Sequence, residues 1–263
     1  MRPSTGKPKN DRMDFKPTNP RPMGETIAAS YRLAGAAFSR SWLLGLLIAL
    51  SSSLATVYQL SEGDPERLLE PFPHDPAYWL IYTIGLLLAQ YFTAALYLRL
   101  DATASGSEGD DVLRVALARL PSFVVMNALF VVALIAGTLL LIVPGLILTV
   151  SLAISSPVLL FDSKSSLESL KESHRLVWGH WWHTGTVLGV GGMVAIGVFL
   201  VCLIAVAILA AFVAHGDMLT VALAATLIVI AITGMLAVPF LFALVLNVYW
   251  DLKLRRHTEV GLK

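Results

Sequence analysis

The sequence predicts an all-α membrane protein with six transmembrane helices and amphipathic helices at the cytoplasmic interface. Hydrophobic residues make up 56% of the 263 residues, charged residues make up 14%, and the mean hydropathy is +0.73. Soluble domains carry about 25% charged residues. Long uncharged stretches alternate with short charged segments, and eighteen of the nineteen Lys and Arg residues fall in every second segment. These observations together predict a chain that crosses a membrane several times.

The spans are located by the uncharged stretches, since a transmembrane helix needs about 20 apolar residues. Arg40 and Glu62 enclose 21 uncharged residues, and Asp75 and Arg99 enclose 23. The last span is too long for an untilted helix, so we expect tilt, a kink at Pro239, or extension beyond the bilayer. The predicted spans are 41–60, 78–98, 122–143, 146–161, 184–213 and 219–249.

The third and fourth spans come from one stretch of 42 uncharged residues between Arg119 and Asp162. As one helix it would be about 63 Å long, twice the thickness of the bilayer core. The stretch must therefore fold back, and Pro144-Gly145 is the turn signal near its middle. We predict that Pro144-Gly145 forms the outer turn of a hairpin. We also expect Pro157, near the end of the fourth span, to bend the chain toward the next helix.

The distribution of positive charge predicts the topology through the positive-inside rule. Eight Lys and Arg residues precede the first span, three lie in 99–120, three in 162–183 and four in 250–263. The opposite face has only Arg67, and its loop 61–77 is acidic. We therefore predict that both termini are cytoplasmic.

The polar ends of the chain are expected to lie outside the membrane domain 24–256. Residues 1–23 contain five prolines and six Lys and Arg residues, which predicts a disordered, basic cytoplasmic tail. This tail could bind anionic lipid, or it could act only as the positive flank that blocks translocation. About forty polar and basic residues precede the first apolar run, so we expect no signal peptide. Residues 257–263 form the second predicted cytoplasmic tail.

Amphipathic helices are predicted next to the spans. Ser165 and Glu168 form a capping-box pattern, and the pairs Glu168–Lys171 and Glu172–Arg175 would support an exposed helical face. Segment 111–120 is also helical in pattern, so the chain could contain three repeats of an interfacial helix followed by two spans. The first of these helices precedes the first span, and its apolar stripe is Ile27, Tyr31, Ala34 and Phe38. The third follows the fourth span, and its apolar stripe is Leu167, Leu170, His174 and Val177.

Polar side chains at depth are few. No Lys, Arg, Asp or Glu falls inside the predicted spans, which contain Gln90, Asn127 and Asn247. Hydrogen bonding between helices explains these three residues, and ion binding by Asn127 or Asn247 is the alternative. The single cysteine, Cys202, excludes a disulfide within the chain and is predicted to face lipid or neighbouring helices.

The segment "HRLVWGHWWH" places three histidines among three tryptophans. His180 and His183 are three residues apart and could share a metal ion, but no nearby acid or cysteine completes the site. An aromatic belt where the chain re-enters the membrane is the favoured interpretation, and a pH-responsive role is the alternative. We predict no metal or cofactor. Gly185 and Gly189 permit close helix approach, either within one chain or in a dimer.

A family resemblance follows from the stretch that begins at Pro144-Gly145 and ends at Trp178. This pattern resembles the signature of the YciC family of bacterial inner-membrane proteins, and "ETIAASYRLAGAAFSRSW" resembles that family's opening helix. The resemblance covers 25–60 and 140–185, and the family is similar to the membrane domain fused to some glycerophosphodiester phosphodiesterases. It implies a six-span inner-membrane module and supplies no catalytic residues. The matching positions are Pro144, Gly145, Pro157, Val158, Leu160, Asp162, Ser169, Ser173, Arg175, Leu176 and Trp178.

The function that these features predict is a non-enzymatic one: a structural, assembly or regulatory role in the bacterial inner membrane. One alternative is a carrier of lipid or another amphiphile, and a second is a membrane enzyme acting at the cytoplasmic interface. The lipid bilayer is the expected partner. Anionic lipids, through the basic tail, and envelope membrane proteins are further candidates, and no nucleic acid is expected.

Overall fold

The protein is described here by a computed structural model covering residues 15–61, 74–107, 109, 111–213 and 218–261. Within these residues the chain forms eight helices and no strand. The helices are α1 Met23–Ser61, α2 Pro76–Ser105, α3 Val112–Leu140, α4 Ile142–Leu152, α5 Ser155–Asp162, α6 Ser166–Trp178, α7 Trp181–Val213 and α8 Met218–Gly261.

Six helical segments are long and apolar enough to cross a membrane, which confirms the predicted number. The all-α fold class is therefore confirmed as well. The fourth segment combines α4 and α5. These segments are Met23–Ser61, Pro76–Ser105, Val112–Leu140, Ile142–Asp162, Trp181–Ile208 and Ala224–Thr258.

Helices α1, α2, α7 and α8 pack into a bundle, with α1 in contact with the other three. The buried face of α1 repeats every three or four residues and is built mainly of small side chains, which permit close helix approach. A Cβ atom on Gly45 would lie 2.2 Å from the Gly234 carbonyl oxygen, so α1 and α8 approach closely at these two glycines. This buried face includes Thr26, Ser30, Leu33, Ala37, Ser41, Leu44 and Ile48.

The predicted interfacial helix before the first span is not separate. Helix α1 continues without a break for 39 residues, about 58 Å, because one buried face runs through both segments. Tyr31 and Phe38, which were predicted to lie on the apolar stripe, are exposed beside this face, and Tyr31 stacks on Phe240. Segment 111–120 is likewise continuous with α3. Of the three predicted repeats, only the third therefore has a separate amphipathic helix, α6.

The predicted hairpin is present, but its turn lies before Pro144-Gly145. Leu141 is extended, with φ −175° and ψ 156°, and α4 begins at Ile142. Pro144 then lies in the first turn of α4, where a missing N–H costs no helical hydrogen bond. Gly145 provides space, because a Cβ atom there would lie 2.5 Å from the Thr138 hydroxyl oxygen of α3.

The fourth segment is interrupted at Ala153 and Ile154, between α4 and α5. Pro157 explains this position, since it cannot donate to the carbonyl four residues earlier, that of Ala153, and its ring clashes there. The interruption associated with Pro157 thus lies before it, between α4 and α5, whereas Pro157 was predicted to bend the chain toward the helix that follows Asp162. The turn after Asp162 is made by Ser163, whose φ of 51° is left-handed.

The turn of the α3–α4 hairpin lies near the start of α7. Val150 lies beside Gly185, and the Trp181 indole Nε1–H donates to the Ile147 carbonyl at 3.4 Å. In these two contacts, the later residue of α4 meets the later residue of α7, so α4 runs parallel to the start of α7. The turn at Leu141 consequently lies on the side where α7 begins. The interruption at Ala153 and Ile154 makes this possible, because α4 and α5 can point in different directions.

The ends of the described chain are ordered by contacts with the bundle. Phe15 packs against the core and Lys16 forms an ion pair with Asp101 at 2.7 Å, so residues 15–22 are not the disordered tail predicted for 1–23. Residues 1–14 lie outside the described part.

Helix α8 passes through Pro239 and continues to Gly261, which places 257–261 in the helix. At 44 residues, about 66 Å, α8 is longer than the bilayer core is thick. The acidic residues of loop 61–77, except Asp75, lie outside the described residues.

Candidate functional site at the charged end

One end of the bundle gathers the N-terminal segment, Asp101, the region from α5 to the start of α7, and the last turns of α8. We call it the charged end. At its centre the Asp251 side chain of α8 is 1% exposed. Its carboxylate accepts the backbone N–H of Arg21 at 2.7 Å and the Nε–H of Arg255 at 2.7 Å. A carboxylate this deeply buried requires such partners, because an unpaired charge would be strongly destabilising.

Arg21 makes two further contacts with α8 and one within the N-terminal segment. Its guanidinium donates to the Asn247 side-chain oxygen at 3.3 Å and to the Phe15 carbonyl at 3.2 Å. Its own carbonyl accepts from Arg255 at 2.6 Å. The sequence does not predict this site, because Asp251 only marks the end of the last uncharged stretch. Arg21 and Asp251 are 230 positions apart, and no local pattern signals that they meet.

Asp162, a motif residue, joins α5 to α8. Its carboxylate accepts from the Lys253 ammonium at 2.5 Å and from the Tyr249 hydroxyl at 2.8 Å. The Lys253 ammonium also lies over the Tyr249 ring. The aspartate that ends the resemblance motif's short span is therefore a contact point between helices.

Glu172 joins α6 to α8. Its carboxylate is 2.9 Å from Lys164, 2.5 Å from Arg175 and 3.0 Å from Arg256. Burial favours a higher pKa for Glu172, but hydrogen bonds from Arg175 and Lys164 outweigh it, and the pKa is lowered from 4.5. The pair with Arg175 was predicted from helical spacing and is confirmed. The pair with Arg256 depends on tertiary structure and was not predicted.

The start of α6 has the predicted capping box. The Ser165 hydroxyl accepts the Glu168 backbone N–H, and the Glu168 carboxylate accepts the Ser165 backbone N–H. The hydrogen bond from the Ser165 hydroxyl, followed by that from its backbone, lowers the pKa of Glu168 from 4.5. This motif satisfies two backbone donors that would otherwise be unpaired at the helix start.

The packed face of α6 differs from the predicted stripe. Leu167 and His174 are exposed, whereas the buried residues are Ser169, Leu170, Ser173, Leu176 and Val177. The Ser173 hydroxyl donates to the Ser151 carbonyl in the last turn of α4 at 2.8 Å. Helix-end carbonyls lack intrahelical donors, and satisfying them is essential in a membrane domain. A serine at this position therefore helps α4 to end inside the fold.

The motif residues thus do not converge on one reactive site. Ser169 donates to the carbonyl of Ser165 at 2.8 Å, and Leu176 is buried against the core. Arg175 and Trp178 are exposed on α6. Together with the positions of Pro144, Gly145, Pro157 and Asp162 described above, these contacts give the motif a structural meaning.

Two of the three polar residues at depth connect helices, as predicted. The Asn127 side-chain amide donates to the Gln90 side-chain oxygen at 2.8 Å, which joins α3 to α2. The Asn247 amide donates to the Ala243 carbonyl at 2.9 Å, while its oxygen accepts from Arg21. Hydrogen bonding between helices is confirmed for Gln90 and Asn127.

A groove of about 820 Å³ lies between α4 and the corner where α6 meets α7. The aromatic rings of Trp181 and Trp182 meet edge to face. His183 approaches Asp251 to 3.3 Å, without the alignment of a hydrogen bond. Among the described residues, no three His, Cys, Asp or Glu side chains group as a metal site would require. The groove is lined by Val143, Leu146, Ile147, Trp178, Gly179, His180, Trp181, Trp182 and His183.

Six apolar helices and a charged end held by cross-helix ion pairs define the class of this protein. It is an all-α, multi-pass integral membrane protein. In comparisons with known proteins, no family model, curated protein or solved structure matches the chain.

Proposed function

We propose that the protein is a non-enzymatic component of the bacterial inner membrane, of YciC type, with a structural, assembly or regulatory role in the envelope. The observation that carries this proposal is that the acidic side chains at the charged end form ion pairs. Asp162, Glu172 and Asp251 each contact a cation of α8, namely Lys253, Arg256 and Arg255. An arrangement of this kind fixes helices relative to one another and holds α6 as a rigid surface.

The cytoplasmic orientation is supported by the charge distribution. Eighteen of the nineteen Lys and Arg residues belong to segments that the sequence assigns to one face. The contacts of Lys16 with Asp101 and of Arg21 with Asp251 bring several of those segments to one end of the bundle. By the positive-inside rule this end is cytoplasmic.

The YciC resemblance is supported by the roles of its motif residues. Ser173 donates to a carbonyl at the end of α4, Asp162 pairs with Lys253, and Gly145 leaves space for the close approach of α3. A motif composed of such contacts suits a family defined by a shared membrane fold.

The assembly role is tested by photo-crosslinking from the exposed side of α6. A photoreactive residue at His174 should capture one partner protein in stoichiometric amount, because α6 presents its polar face outward. The same residue at Met193, on the exposed apolar face of α7, is the control and should capture lipid. Arg175→Glu should abolish the protein adduct. Lipid adducts alone at both positions would remove the assembly role.

A carrier of lipid or another amphiphile is the second candidate, and the groove beside α4 favours it. The groove is open, apolar on one side and bordered by histidines on the other. Movement of a fluorescent phospholipid between the leaflets of reconstituted vesicles tests it. A rate equal to that of protein-free vesicles would remove the carrier function.

A further inference from the structure

We propose that the groove between α4 and the α6–α7 corner binds one anionic phospholipid from the leaflet at the charged end. The inference deepens the second candidate function, since it names the ligand class and the site. The bound lipid would place an acyl chain against α4 and its head group beside His180.

The walls of the groove match an acyl chain. Val143, Leu146 and Ile147 provide one apolar side, and the indole rings of Trp181 and Trp182 provide another. A volume of about 820 Å³ lies within the range of ligand sites, about 300 to 1,000 Å³. Trp182 is 79% exposed, so its ring is not packed against a neighbouring helix of the described chain and is available to contact a ligand.

The groove lies at the level along the bundle where a lipid head group would be located. His183, which lines it, lies 3.3 Å from Asp251 at the centre of the charged end. The contact between Val150 and Gly185 keeps α4 beside the first turns of α7. Tryptophans concentrate at the membrane–water interface, where one side of the ring is apolar and the other is wet. The groove therefore opens at the level where head groups meet acyl chains.

The charge around the groove favours an anionic head group. Among the described residues, the segments assigned to the charged end contain thirteen Lys and Arg residues and eight Asp and Glu residues. The nearest acid, Asp251, is itself bound by Arg255. His180, His183 and exposed Arg175 lie on the elements that form the corner. Within the described part of the chain, the groove lining itself contains no Lys or Arg, so the attraction for an anionic head group comes from the basic residues of these neighbouring segments.

Native mass spectrometry of the purified full chain tests the site with dioleoyl phosphatidylglycerol and dioleoyl phosphatidylcholine as probes. We expect one tightly held phosphatidylglycerol, bound about tenfold more strongly than phosphatidylcholine. Leu146→Trp fills the groove and should abolish this binding. Leu139→Trp is the matched control, since Leu139 is on the same hairpin, is 82% exposed and does not line the groove.

A second pair of variants tests the head group separately and does not depend on folding of Leu146→Trp. His180→Gln should reduce the preference for phosphatidylglycerol severalfold, whereas His174→Gln, outside the groove, should leave it unchanged. Equal binding of the two lipids by the natural protein would overturn the proposal. So would unchanged binding by Leu146→Trp and His180→Gln. Specific binding without lipid movement between leaflets would keep the site and remove only the carrier function.

Discussion

At the residue scale, Asp251 shows how one buried carboxylate can organise distant parts of a chain. It receives a backbone donor from the N-terminal segment, a guanidinium from its own helix and the close approach of His183. The hydrogen bonds from Arg21 and Arg255 lower the energetic penalty of burying the charge. Removing the charge should therefore disturb all three elements together.

Asp251→Asn should lower the free energy of unfolding by about 3 kcal/mol, because it leaves the partly buried guanidinium of Arg255 and the backbone N–H of Arg21 without their buried charged acceptor. Thermal or denaturant unfolding of the purified protein in detergent measures the change. Asp101→Asn is the control. Asp101 and Lys16 are both partly exposed, so the loss there should stay below about 1 kcal/mol. Equal stability of Asp251→Asn and the natural protein would contradict the role given to Asp251.

The two glutamates of α6 predict a pH dependence at acidic pH. The pKa values of Glu168 and Glu172 are lowered from 4.5 in the folded protein. Their contribution is therefore fully present above pH 4.5 and is lost as the pH falls through the lowered values. Amide hydrogen exchange in α6, corrected for the intrinsic pH effect, should be constant near neutrality and increase in acid.

The double variant Glu168→Gln and Glu172→Gln serves as the control for this pH effect. It should show faster exchange in α6 at neutral pH and little further change in acid. An increase of the same size in the double variant would assign the acid sensitivity to other groups.

At the element scale, local signals predicted some features and misplaced others. The capping box of α6 was predictable because all its atoms lie within four residues of sequence. Pro144 was misplaced because a proline suits both a turn and the first turn of a helix. The continuity of α1 was missed because its buried face consists mainly of serine, threonine and alanine, which hydropathy does not distinguish from an exposed face.

The direction of α4 beside α7 is tested by a cysteine pair. In a Cys202→Ala background, Val150→Cys and Gly185→Cys should form a disulfide on mild oxidation, since a Cβ atom at Gly185 would lie 3.7 Å from a Val150 methyl. The matched pair Val150→Cys and Gly197→Cys should not, because Gly197 is twelve residues, about 18 Å, further along α7. Cross-linking of the second pair alone would show that α4 crosses the bilayer beside the middle of α7.

At the scale of the whole molecule, composition and charge were enough to predict six apolar segments and the segregation of basic residues. The pairings within the charged end were not predictable, because Arg21 with Asp251 and Asp162 with Lys253 connect residues far apart in sequence. The groove was also beyond prediction, since it exists only where the α3–α4 hairpin meets the α6–α7 corner.

We propose that the charged end faces the cytoplasm and that the opposite end of the bundle faces away from it. Single cysteines at Ser107, after α2, and at Ser61, at the end of α1, in a Cys202→Ala background test it directly with a membrane-impermeant thiol reagent. We expect labelling of Ser61→Cys in intact spheroplasts and of Ser107→Cys only after the membrane is opened. Labelling of both positions from the same side would contradict it.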